Sequence, residues 1–178
     1  MTAAVASPAA APPVRETLLR LVTAGLAGGA VDFAYASTMG VIGGGGVLRV
    51  WQGVASFWLG KAAGHGGLAS FSLGVITHFS LATLMAGGYA LAAWKLPVLY
   101  RRWLLCAPVY GVILYGIMYR VVMPLRWPSI YPSWHGAQSL LDICAHMVLA
   151  LAAAFVLSRG RFDTQRTQGF GAAGKVAS

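Results

Sequence analysis

The chain has 178 residues, of which 58% are hydrophobic and 10% charged. A soluble domain carries roughly 25% charged residues, so this composition excludes an ordinary water-soluble globule, a disordered chain and a collagen-like chain. The formal charge is +9, from 13 Lys+Arg and 4 Asp+Glu. These cations lie scattered between apolar runs and form no basic helix, which excludes a nucleic-acid-binding surface and leaves an integral membrane protein.

Residues 1–20 read as a cytoplasmic N-terminal tail, Ala/Pro-rich and disordered at its start. Residues 21–158 form a transmembrane domain, and 159–178 a basic cytoplasmic tail. Four apolar segments approach or exceed the ~20 residues that cross a bilayer. They are Leu21–Ile42, Leu68–Trp94, Trp103–Met123 and Ser139–Ser158. The first is no convincing cleavable signal, because Asp32 interrupts it and the apolar run continues to Ile42.

Gly43–Gly46 must end the first helix. Residues 47–60 then show helical amphipathicity: Val47, Val50, Trp51, Val54, Phe57 and Trp58 share one face, opposite Arg49, Gln52 and Ser56. The stretch is too short to span and suits an interfacial helix, with a re-entrant segment as the alternative. The fold class is therefore all-α: a four-helix membrane bundle with an extra interfacial helix between spans 1 and 2.

Orientation follows from the cations. With both termini cytoplasmic, the inside holds Arg15, Arg20, Lys95, Arg101, Arg102, Arg159, Arg161, Arg166 and Lys175. The outside holds Arg49, Lys61 and Arg126, with Arg120 at a helix end. That asymmetry is a positive-inside signal. Cys106 and Cys144 fall near opposite faces and are not expected to pair, since a disulfide needs Cα atoms within roughly 7 Å. Gly25 and Gly29 are four residues apart, as are Ala24 and Gly28. Such spacing predicts close helix contact, within the bundle or in a homodimer.

Every span carries an ionisable group: Asp32, His78, Arg120, then Asp142 with His146. Ionisable groups in a bilayer are costly and usually face the bundle interior. At 1.5 Å rise per residue, Arg120 and Asp142 sit roughly 5 Å deep, His146 roughly 10 Å, and Asp32 and His78 roughly 15 Å. Two layers are expected: an outer Arg120–Asp142 ion pair, and a deeper cluster of Asp32, His78 and His146. Three uses of the deeper cluster compete with simple packing. One is a proton or ion path, since histidine changes charge near neutral pH. Another is a metal site of two His and one Asp. The third is a haem or small-molecule pocket. No cofactor is strongly implied.

Catalytic motifs are absent from the sequence. There is no phosphate loop, no Gly-x-Ser-x-Gly elbow and no His-Glu-x-x-His pair. No catalytic residue is assigned, and the chain is expected not to be an enzyme. The expected function is a bundle that self-associates or serves as a subunit of a membrane assembly. Its partners would be the lipid bilayer and another copy or another membrane protein, with no nucleic acid.

Several stretches carry a resemblance. They are Gly25 to Gly28, Asp32, Tyr35 and Ala36; Val50 with Gln52, Gly53, Ala55 and Ser56; and Gly60, Gly66, Gly67, Gly74, His78 and Phe79. Tyr115, Gly116, Val122, Pro124, Leu125, His146 and Met147 complete it. Over residues 20–158 the chain resembles a family of small uncharacterised four-span bacterial inner-membrane proteins. The resemblance implies a plan of four spans and an interrupted first loop, with polar residues at Asp32, His78 and His146. It implies no activity.

Overall fold

The computed structural model describes residues 14–174, with side chains as far as Arg159. The elements are α1 (Val14–Ile42), α2 (Gly46–Leu59), a 3-10 turn (Gly60–His65), α3 (Gly67–Lys95), the short α4 (Val98–Arg101) and α5 (Trp103–Ile117). A π turn (Met118–Val122) joins α5 to α6 (Met123–Arg126), and α7 (Ala137–Gly174) follows. Four stretches are long and apolar enough to cross a membrane: Val14–Ile42, Gly67–Lys95, Trp103–Arg126 and Ala137–Arg159.

The helices overrun the expected spans at three ends. α1 starts at Val14 rather than Leu21. Arg20 pairs there with Glu16 one turn earlier, a spacing that supports a helix, and Glu16 lies in the favourable first turn. The expected disordered stretch before residue 14 lies outside the described residues. The third span runs to Arg126. Its π turn has a local cause: Pro124 lacks the N–H that would bond the Arg120 carbonyl, and a widened turn absorbs the mismatch. α7 continues as helical backbone to Gly174, into the stretch read as a tail.

The bundle is built in the order α5, α7, α1, α3, with α2 laid against both α1 and α3. Its interior is lined by small residues. Ala24, Ala93, Ala107 and Ala154 are all fully buried, with Tyr89 among them. The outward faces carry the large apolar groups: Leu84 is 71% exposed, Leu105 68% and Ile76 64%. Small inside and large outside is the arrangement of helices packed in lipid, where close approach replaces hydrophobic collapse.

Glycines set that approach, and all within the chain. A Cβ at Gly29 would lie 2.7 Å from the Phe79 ring on α3, and one at Gly25 would strike Thr83. One at Gly28 would meet the Leu149 carbonyl of α7 at 2.9 Å. The small-residue faces of α1 are thus occupied by α3 and α7. On the far side, Gly111 of α5 faces the His146 carbonyl of α7, where a Cβ would sit at 2.5 Å.

α2 is held by several contacts. Gly44 and Gly46 adopt φ of 76° and 73° to turn the chain back from α1. A Cβ at Gly74 of α3 would collide with the Trp51 carbonyl, so α2 and α3 touch backbone to backbone. The Trp51 indole donates to Ser37 Oγ at 3.1 Å, and Gln52 Nε2 donates to the Gly67 carbonyl at 3.2 Å. Arg126 closes the other end, donating to the carbonyls of Phe57 at 2.9 Å and Ser56 at 3.3 Å. A guanidinium suits this place, because the last carbonyls of a helix carry partial negative charge.

Candidate functional site: two intramembrane polar clusters

The first cluster joins α1, α2 and α3. Antiparallel packing of α1 on α3 puts Asp32 beside His78, with Nδ1 3.8 Å from Oδ2. The other ring nitrogen, Nε2, lies 3.0 Å from the Gly29 carbonyl. Both side chains are largely shielded, at 11% exposure for His78 and 19% for Asp32. Aromatic rings enclose them. Trp51 of α2 stacks on Phe33 at 4.4 Å between centroids and packs against the imidazole at 4.8 Å. Phe79 closes on the imidazole edge-to-face at 5.2 Å.

The second cluster joins α1, α5 and α7. Asp142 Oδ1 accepts from the Tyr35 hydroxyl at 2.6 Å and from Gln138 Nε2 at 3.0 Å. Gln138 also donates to the Tyr35 oxygen at 2.9 Å, which closes a triangle between α1 and α7. His146 turns its Nδ1 to the Asp142 carbonyl at 2.8 Å. Its ring meets Tyr115 and Tyr119 edge-on, at 5.7 Å and 5.9 Å. Tyr131, from the loop before α7, packs on Tyr119 at 5.8 Å. Burial pushes the Tyr131 phenol above its ordinary pKa, and the Asp142 carboxylate and Tyr115 push it the same way. The hydroxyl therefore stays protonated through neutral pH.

Two expectations need correction. Arg120 and Asp142 do not pair: the ion pairs among the described residues are Arg20–Glu16 and His78–Asp32. Arg120 falls in the π turn and is exposed on the outside of the bundle. Tyr35 and Gln138 meet the Asp142 carboxylate instead. Nor do Asp32, His78 and His146 converge. Asp32 and His78 meet, but His146 faces Tyr115 of α5, Tyr119 of the π turn and its own helix carbonyl. Among the described residues no three His, Cys, Asp or Glu gather as a metal site would require.

Cys106 and Cys144 are both free thiols. A shallow open depression lined by Arg101 to Leu105 lies at the start of α5, away from both clusters.

Sequence reasoning missed Tyr35, Gln138, Ser37 and the buried role of Trp51. Two of these carried a usable signal. Gln138 lies four residues before Asp142, and Tyr35 lies three after Asp32, each one turn along the same helix face. No family model matches the chain, and no curated protein or solved structure is significantly similar to it.

Proposed function

We propose that the protein is a non-enzymatic membrane bundle that assembles with itself or serves as a subunit of a larger membrane assembly. The supporting observation is how its intramembrane polar groups are used. Asp32, His78, Tyr35, Gln138, Asp142 and His146 all meet groups within the bundle, most on a neighbouring helix. Arg120, four residues before Pro124 in the third span, is exposed instead. A span-end arginine reaches the headgroup layer or a carboxylate of a neighbouring chain. In this reading the membrane is a bacterial inner membrane, with both termini cytoplasmic, an orientation that the cation asymmetry supports. α2 then occupies the outer interfacial region, leaning onto α1 and α3. The resemblance to small four-span bacterial membrane proteins agrees with this plan.

The test is oligomeric state in lipid. Single-molecule photobleaching of the full chain in vesicles should give multi-step traces, and Arg120→Leu should reduce their share. Single-step bleaching at every density, with no membrane protein bound stoichiometrically in native-lipid particles, would count against assembly.

A second reading is favoured by one observation: an acid and a base meet at 3.8 Å, largely shielded, within the spans. This reading is a proton- or ion-conducting role that depends on Asp32 and His78.

A further inference from the structure

The hydrogen-bond chemistry of His78 carries a consequence for its proton content. A backbone carbonyl only accepts, so the nitrogen 3.0 Å from the Gly29 oxygen, Nε2, must carry a hydrogen. In a neutral imidazole the other nitrogen is then an unprotonated lone pair. That lone pair, on Nδ1, faces Asp32 Oδ2 at 3.8 Å. An ionised carboxylate is also an acceptor and nothing else. A neutral ring beside an ionised Asp32 would set two acceptors against each other in a shielded, low-dielectric site, where such a conflict is expensive.

One proton removes the conflict. On Nδ1 it makes an imidazolium–carboxylate pair; on Oδ2 it makes a carboxylic acid that donates to Nδ1. We propose that Asp32 and His78 together form an intramembrane site for a single proton, taken up from the aqueous phase and held at neutral pH. At 3.8 Å the two atoms are within ion-pair distance with no hydrogen bond formed, so the proton is assigned to the pair and not to either atom.

The surroundings of the pair are largely aromatic. From α2 the pair meets the Trp51 ring, while Arg49 of α2 is exposed. From α3 it meets Phe79. Tyr35 on α1 and Tyr119 in the π turn lie within electrostatic reach of Asp32, and both are also in reach of Asp142 on α7. Trp51, 1% exposed, covers the imidazole from the α2 side.

The deciding experiment reads protonation directly. The full chain, labelled with ¹⁵N-histidine, is reconstituted in phosphatidylcholine–phosphatidylglycerol vesicles near neutral pH. Solid-state NMR then reports both nitrogens of each ring, and His78→Gln identifies the His78 signals by their loss. Infrared difference spectra against Asp32→Asn report the carboxyl. The expected result is one shared proton: a doubly protonated ring with ionised Asp32, or a neutral ring with protonated Asp32. In Asp32→Asn the ring should read neutral, because the new amide can donate to Nδ1. A neutral ring beside ionised Asp32 in the unmodified chain would overturn the inference, as would a doubly protonated ring beside a protonated carboxyl. The inference rests on the same pair as the second reading but not on transport. A loaded site in vesicles that pass no proton current would uphold it and remove conduction.

Discussion

Gly111→Leu is expected to separate α5 from α7 and lower the stability of the bundle by about 1–3 kcal/mol or more, the range for forcing bulk into a packed contact. α5 packs mainly on α7. At their crossing a Cβ on Gly111 would lie 2.5 Å from the His146 carbonyl and 2.6 Å from the Met147 Cα. Both obstacles are backbone and cannot swing aside as a side-chain tip could. Tyr115 and Tyr119, further along the same span, would lose their contacts with His146. Gly116 supplies the control, since a Cβ there has nothing within 4 Å. Gly116→Leu should be neutral or slightly stabilising, because leucine favours a helix by up to about 1 kcal/mol over glycine. Reversible unfolding of the two variants in lipid–detergent mixtures checks the pair. Equal behaviour would show that the crossing is looser than described.

Gly74→Leu is expected to lift α2 off the bundle at a similar loss of about 1–3 kcal/mol or more. Here the obstacle is the Trp51 carbonyl itself. Displacing α2 withdraws Trp51 from Phe33, Ser37 and His78 together. The readout is therefore local as well as global: Trp51, now almost fully buried, should become open to aqueous quenchers. Gly53 lies on α2 with nothing within 4 Å of a Cβ. Gly53→Leu should leave both stability and quenching nearly unchanged. If Gly74→Leu left Trp51 shielded, α2 would not be docked through this contact.

The four spans were legible in the sequence because length and hydropathy carry that information residue by residue. The amphipathic pattern of residues 47–60 likewise revealed α2 before its contacts were known. Partner choice inside the bundle was not legible, since it depends on how each helix is rotated about its axis. Depth alone paired Arg120 with Asp142. The π turn before Pro124 and the facing of α5 put Arg120 outside, while α1 brought Tyr35 to the carboxylate. Depth also grouped His146 with Asp32 and His78. The α7 backbone at His146 packs against Gly111, and its ring turns to Tyr115 and Tyr119, so only the Asp32–His78 part of that cluster forms. The small-residue spacing on α1 announced close packing but not with which helix. Gly25 and Gly29 meet α3, and Gly28 meets α7.

Specific contacts of polar side chains between neighbouring helices, above all Tyr35 with Asp142, join the helices of this bundle. A pair of double-mutant cycles in lipid tests this most directly. Tyr35→Phe with Asp142→Asn should be non-additive, with a coupling of about 1 kcal/mol, the typical size for interhelical hydrogen bonds in membranes. Arg120→Leu with Asp142→Asn should be additive. Coupling between Arg120 and Asp142, with none between Tyr35 and Asp142, would mean that the carboxylate is held by the arginine and not by the tyrosine.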